Sequence, residues 1–243
     1  MESVIKHIET QHANTSSSKI KSIVYGGVDG VITTFSIIAA SYGASLDYKV
    51  IIMLALSNLF ADASSMGIGD YVSSNLEKQY IDSERSKETY EYHCNLDDEI
   101  NELICIYESK GLSEEDAIVI TNIFSKNEEL FIQQMMVLEL ELDPYITTKR
   151  EIIVNSIHTF LSFIFFGAFP IYVYIYAYTN DLNYKYTFIT SSILSGLTLF
   201  GVGGISAKIS KQNIFKNGFA TMTNGIISGS IAYLIGYCFD KWL

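Results

Sequence analysis

The sequence is poor in the residues that staple, break or strongly charge a fold. Three cysteines, Cys94, Cys105 and Cys238, are scattered without C-x-x-C spacing, which excludes a disulfide framework and a thiolate zinc site. Only two prolines occur, Pro144 and Pro170, so long helices can run unbroken. Charged residues make up 18% against 49% hydrophobic, too apolar a mixture for a disordered chain. Residues 1–19 are polar and lack an apolar core segment, so no cleavable signal peptide is expected. A basic stripe is also missing. Sixteen Lys+Arg face 27 Asp+Glu, a net charge of −11, which argues against nucleic acid as a partner.

What is present is unevenly placed along the 243 residues. Residues 77–150 hold 18 acidic and 7 basic side chains, and so carry the whole −11; the remainder has 9 of each sign. Five stretches, 23–44, 50–71, 152–178, 186–207 and 219–239, are long and apolar enough for a bilayer of ~30 Å, which needs about 20 helical residues. The last three contain no Asp, Glu, Lys or Arg. A soluble surface helix keeps a polar face, so a membrane bundle is favoured over a large soluble helical core. The expected fold is an all-α membrane protein, with five transmembrane helices and a three-helix cytosolic insertion between the second and third. The expected division is a polar cytosolic tail at 1–19, two spans in 20–76, the acidic domain at 77–150 and three spans in 151–243. Thirteen of the Lys and Arg residues fall on the side of the N-terminus, the insertion and the 208–216 loop; Lys49, Lys185 and Lys241 fall on the other. The positive-inside rule then places the N-terminus and the insertion in the cytosol.

Ionisable residues inside apolar spans mark pathways by default, since a carboxylate there costs at least ~2.5–3.5 kcal/mol. Asp29 lies in Tyr25-Gly26-Gly27-Val28-Asp29-Gly30 of the first span. The second carries Asn58, Asp62, Met66 and Asp70 at intervals of four, one helical stripe. Asp29 and Met66 both fall about 6 Å to the cytosolic side of their spans' midpoints at ~1.5 Å per residue. Antiparallel spans bring them to one depth. Carboxylate oxygen with thioether sulfur suits a first-row divalent metal better than Mg²⁺ or Ca²⁺. The bland alternatives are a structural hydrogen bond for Asp29 and ordinary packing for Met66.

The acidic segment reads as three helices. The first can continue the second span and carries Glu77, Glu84, Glu88 and Glu91 on one face. A short second carries Asp98, Glu99 and Glu102, and Gly111 ends it or the turn after it. Ser113-Glu114-Glu115-Asp116 has the character of a helix start. The last, near 128–142, places Met135, Met136 and Glu139 on a shared face. Like charges at i,i+3 and i,i+4 destabilise a bare helix. The doubled E-x-x-E pattern, Glu88/Glu91 and Glu99/Glu102, with Glu139 and two Met sulfurs, therefore fits a carboxylate-rich metal site between helices. A solvated acidic face is the competing reading. His93 lies beside the cluster but out of register. Glu9-x-x-His12 sits in a polar, Ser-rich tail and is discounted.

Together these residues resemble the vacuolar iron transporter family of eukaryotic ferrous-iron/proton exchangers. The resemblance rests on Gly-x-x-Asp29-Gly-x-x-Thr-x-Phe35, Ser65-Met66-Gly67-x-Gly69-x-Tyr71, the E-x-x-E pairs and Met135-Met136-x-x-Glu139, in the family's order. It covers about residues 20 to 240. It implies five spans, a homodimer and a cytosolic metal-binding insertion. It implies metal ligands at Glu88, Glu91, Glu99, Glu102, Met135, Met136 and Glu139, with Asp29 and Met66 lining the pathway. Many plant-like members carry a Glu where this chain has Asn58, which cannot take up a proton; Asp62, one turn along, can substitute. The expected function is transport of Fe²⁺, with Mn²⁺ or similar ions, from cytosol into an acidic store such as the vacuole in exchange for protons. No catalytic cofactor and no enzyme activity are expected. The rival classes are a membrane-bound di-iron enzyme, disfavoured because the insertion has no E-x-x-H, and a membrane scaffold with an acidic partner-binding domain.

Overall fold

The computed structural model describes residues 2–143 and 148–242, with side chains from residue 20 onward. The expected polar character of 1–19 and the Glu9/His12 pair lie outside the described side chains. Among the described residues there are eight α-helices and no strand: α1 (Glu2–Gly43), α2 (Tyr48–Cys94), α3 (Leu96–Ser109), α4 (Glu114–Phe124), α5 (Glu128–Leu138), α6 (Lys149–Thr179), α7 (Tyr184–Ile209) and α8 (Ile214–Trp242). They form two compact units: Met1–Tyr71 with Arg150–Leu243, and Val72–Lys149. Helix α2 contributes to both.

Among the described residues of the first unit, four helices are long and apolar enough to cross a membrane: α1 over Ile20–Gly43, α2, α6 and α7. The fifth expected stretch, 219–239, lies in α8, which falls short of them. Asn224 and the run of Thr, Ser and Gly around it dilute its Ile, Leu and Phe. The outer faces are nonetheless apolar: Leu161 and Phe165 on α6, Ile193 and Leu197 on α7, and Ile231 and Leu234 on α8 are all more than half exposed. The inside is apolar too, with Ile38, Ile51, Leu59, Phe163 and Ile171 clustered between α1, α2 and α6. Apolar matter on both faces is the pattern of a membrane bundle. Several polar groups inside are small hydroxyls bonded to backbone carbonyls, whereas the buried Thr34 and Tyr174 hydroxyls have no partner. Ser156 donates to Ile152 O at 2.9 Å and Ser195 to Ser191 O at 2.7 Å, while Ser191 donates across to Pro170 O at 3.2 Å and ties α7 to α6.

Glycines set how closely these helices approach. A Cβ on Gly30 would fall 2.4 Å from the Phe163 carbonyl oxygen of α6, and one on Gly236 only 2.0 Å from the Ala40 carbonyl oxygen of α1. Backbone-to-backbone contact of this kind is available to small residues alone.

The second unit packs the end of α2 with α3, α4 and α5 around Leu103, Tyr107, Ala117, Phe131 and Met135. Its α4 begins where the acidic tetrapeptide indicates, with Ser113 Oγ accepting from the Asp116 amide at 3.2 Å. Gly111 takes φ +100° in the turn after α3, a conformation suited to glycine. Helix α5 stops at Leu138, earlier than the 142 expected. Glu139 is its C-cap, Glu141 is left-handed at φ 54°, and the Leu142 amide returns to Met136 O at 2.9 Å.

Candidate metal centre

In the second unit, α2 presents Glu88 and Glu91 one turn apart. A single residue, Asn95, separates α2 from α3, whose first turns hold Glu99 and Glu102. The fold back is tight enough that carboxylate oxygens of Glu88, Glu91 and Glu99 all lie within 4.8 Å of one another. Glu88 and Glu99 are buried, 5% and 8% exposed; Glu91 is half-buried, and Glu102 and Glu139 are exposed at the edge. Burial, reinforced by Glu139, Glu99, Glu91 and Glu102, pushes the Glu88 carboxyl up to about 7. Burial, then Glu91, Glu102 and Glu139, pushes Glu99 to about 7 as well. Glu139 is raised by burial and by Glu102 and Glu91. All five glutamates singled out in the sequence therefore act on one another.

Glu88 Oε2 is fully buried and has no hydrogen-bond partner. A buried carboxylate oxygen left without a donor is costly. Three cations of this unit pair with other carboxylates: Arg85 with Glu129 at 2.5 Å, Lys78 with Asp82 at 3.0 Å and Lys87 with Glu84 at 2.6 Å. His93 is exposed and faces Glu128 at 3.2 Å, apart from the cluster. Met135 and Met136 are fully buried, and Met135 belongs to the apolar cluster of the unit. Three convergent carboxylates with an orphaned oxygen can hold a divalent cation through oxygen.

In the first unit, Asp29 of α1 is half-buried and opens onto a cavity of about 590 Å³ bounded by α1, α7 and α8. Tyr25, Ser206 and Asn224 share its wall. Asp62 of α2 lies within electrostatic reach of Asp29 and accepts a hydrogen bond from Asn58 Nδ2. Met66, half-buried one turn on, packs against the apolar cluster of α1, α2 and α6. Asp70 accepts from Thr159 Oγ1 of α6 at 2.9 Å, so it is a helix–helix tie. Two of the residues found here escaped the reading of the sequence. Asn224 carries a signal that could have found it, a full amide in an otherwise apolar stretch. Thr159 is one hydroxyl among many and carries none.

A family model described as the VIT family matches residues 20–237. The chain is 36% identical over 233 residues to the vacuolar iron transporter of Toxoplasma gondii, covering 93% of this chain and 76% of that one. It is 32% identical over 235 residues to the vacuolar iron transporter of Plasmodium falciparum, covering 95% and 85%. Vacuolar iron transporter 2 of Oryza sativa subsp. japonica is 23% identical over 224 residues, covering 92% and 89%.

Proposed function

The chain belongs to the VIT family, and on that premise we propose that it moves Fe²⁺, together with Mn²⁺ and similar divalent ions, from the cytosol into an acidic vacuolar store in exchange for protons. It is a multi-pass membrane transporter and not an enzyme. The relatives it matches are named for vacuolar iron transport.

The observation that carries the metal reading is the glutamate cluster, whose buried, unpartnered Glu88 oxygen is answered by a cation better than by solvent. On this reading Glu88, Glu91, Glu99, Glu102 and Glu139, with Met135 and Met136 nearby, gather metal on the cytosolic side. Asp29, Met66 and Asp62 with its partner Asn58 form the intramembrane stretch of the pathway. Asp62, and not Asn58, then takes the proton-carrying part there. Helix α8 serves as the fifth span, a role supported by its close contacts along α1 and its exposed apolar face. The working form is a homodimer.

Purified protein in proteoliposomes tests the reading. Anaerobic Fe²⁺ uptake should rise with an inside-acidic gradient. Uptake indifferent to that gradient would leave a uniporter or channel, and no uptake at all would remove the transport reading.

A further inference from the structure

Helix α8 lies along α1 in a register that its glycines make visible. Gly236 abuts Ala40, Gly229 abuts the Phe35 ring, and Gly225 meets Leu199 of α7 and Ile32 of α1. The pairs ascend together, so the two helices run parallel. Position 224 comes level with residues 30–31 of α1, within about 3 Å of Asp29 along the axis at 1.5 Å per residue. Gly225 is held against Leu199 and Ile32, and its neighbour Asn224 reaches the cavity that Asp29 lines. Among the described residues Asn224 has no hydrogen-bond partner. Asn224 is exposed to the cavity; a full amide is expensive at membrane depth, and α8 is less apolar than the four clear spans for carrying it. Packing does not require it, since the glycines do the packing.

We propose that Asn224 is a metal-positioning ligand of the Asp29 cavity, its Oδ1 replacing part of the hydration shell of a divalent cation that Asp29 attracts. The inference rests on the transport reading. Ser206, on the same wall, offers a second neutral oxygen. Lys21 lines the cavity eight residues before Asp29, about 12 Å along the helix, and stands at its rim. Neutral oxygens suit a transit site. They lower the cost of dehydration without adding charge that would trap the ion.

The experiment is the initial rate of anaerobic Fe²⁺ uptake into proteoliposomes as a function of Fe²⁺. Asn224→Leu keeps the volume and removes the oxygen; KM should rise about tenfold with Vmax changed less than twofold. Asn224→Asp keeps an oxygen and adds charge; KM should return to the wild-type value or below while Vmax falls. Asn224→Ala carries the same expectation as Leu should the Leu variant not fold. A wild-type KM in the Leu and Ala variants, or an equal rise in the Leu and Asp variants, overturns the proposal. Absence of Fe²⁺ uptake by the wild type itself would overturn the transport reading instead.

Discussion

Glu88 carries the sharpest consequence at the scale of single residues. Its carboxyl sits at about 7 in the folded protein against 4.5 ordinarily, so between those values the folded state holds a proton that the unfolded chain has released. Metal-free protein should therefore lose stability as pH rises through that window. Glu88→Gln should relieve this and raise the melting temperature of metal-free protein at pH 8 by about 2–4 °C, the scale of 1 kcal/mol for a chain of this size, with no gain at pH 4. Thermal unfolding by circular dichroism at the two pH values checks it; an equal change at both would place the effect in packing. Glu88 and Glu99 both sit at about 7, so binding displaces up to two protons and metal affinity should rise at least about tenfold, and up to about a hundredfold, from pH 6 to pH 8, readable by equilibrium titration. Within the bundle, Asp29→Ala should abolish Fe²⁺ uptake with folding intact. Met66→Leu preserves the volume of a side chain already packed on the apolar cluster, so any effect belongs to the sulfur and should fall on Fe²⁺ more than on Mg²⁺. Fe²⁺ uptake at the wild-type rate in Asp29→Ala would remove Asp29 from the pathway.

At the scale of elements, the contact of α8 with α1 is decided by atoms glycine does not have. Gly236→Ala would place a Cβ 2.0 Å from a backbone oxygen that cannot move alone, so the helices must separate, at an expected cost of about 1–3 kcal/mol. Gly69, in α2, has nothing within 4 Å, and Gly69→Ala should be neutral or stabilising by about 0.5–1 kcal/mol from helix propensity. Thermal stability of the two variants in detergent separates them; equal melting temperatures would show that α8 does not rest on α1 at this depth. The same scale shows what helical spacing could foresee. The i,i+3 interval put Glu88 and Glu91 on one face of α2. It could not put Glu99 beside them, because that depends on the reversal at Asn95, a one-residue link with no glycine or proline to announce it. Likewise the early end of α5 follows from a left-handed Glu141, and side-chain periodicity does not report backbone conformation.

For the whole molecule, the charge of −11 confined to residues 77–150 implies a division of labour. Replacing Glu88, Glu91, Glu99 and Glu102 together by Ala should slow Fe²⁺ uptake at low metal but leave the maximal rate within about twofold, since Asp29, Asp62 and Met66 remain. The check is a full uptake curve beside metal binding by the same protein. A maximal rate abolished in the variant would make the cluster an obligatory stage of transport; unchanged binding would reduce it to a solvated acidic face.

Membrane character and helical class were determined by the sequence itself, because apolar runs of about 20 residues have few other uses. So was the segregation of charge into one segment, which composition reports without any geometry. Tertiary structure alone decided which polar groups meet. Asp62 came into reach of Asp29, Asp70 was taken up by Thr159, and Asn224 arrived on the cavity wall from a helix nearly 200 residues away in sequence. The reason is physical. Within one helix, spacing sets which side chains share a face, but meetings between helices depend on rotation and depth, which here are set by glycine contacts as close as backbone against backbone.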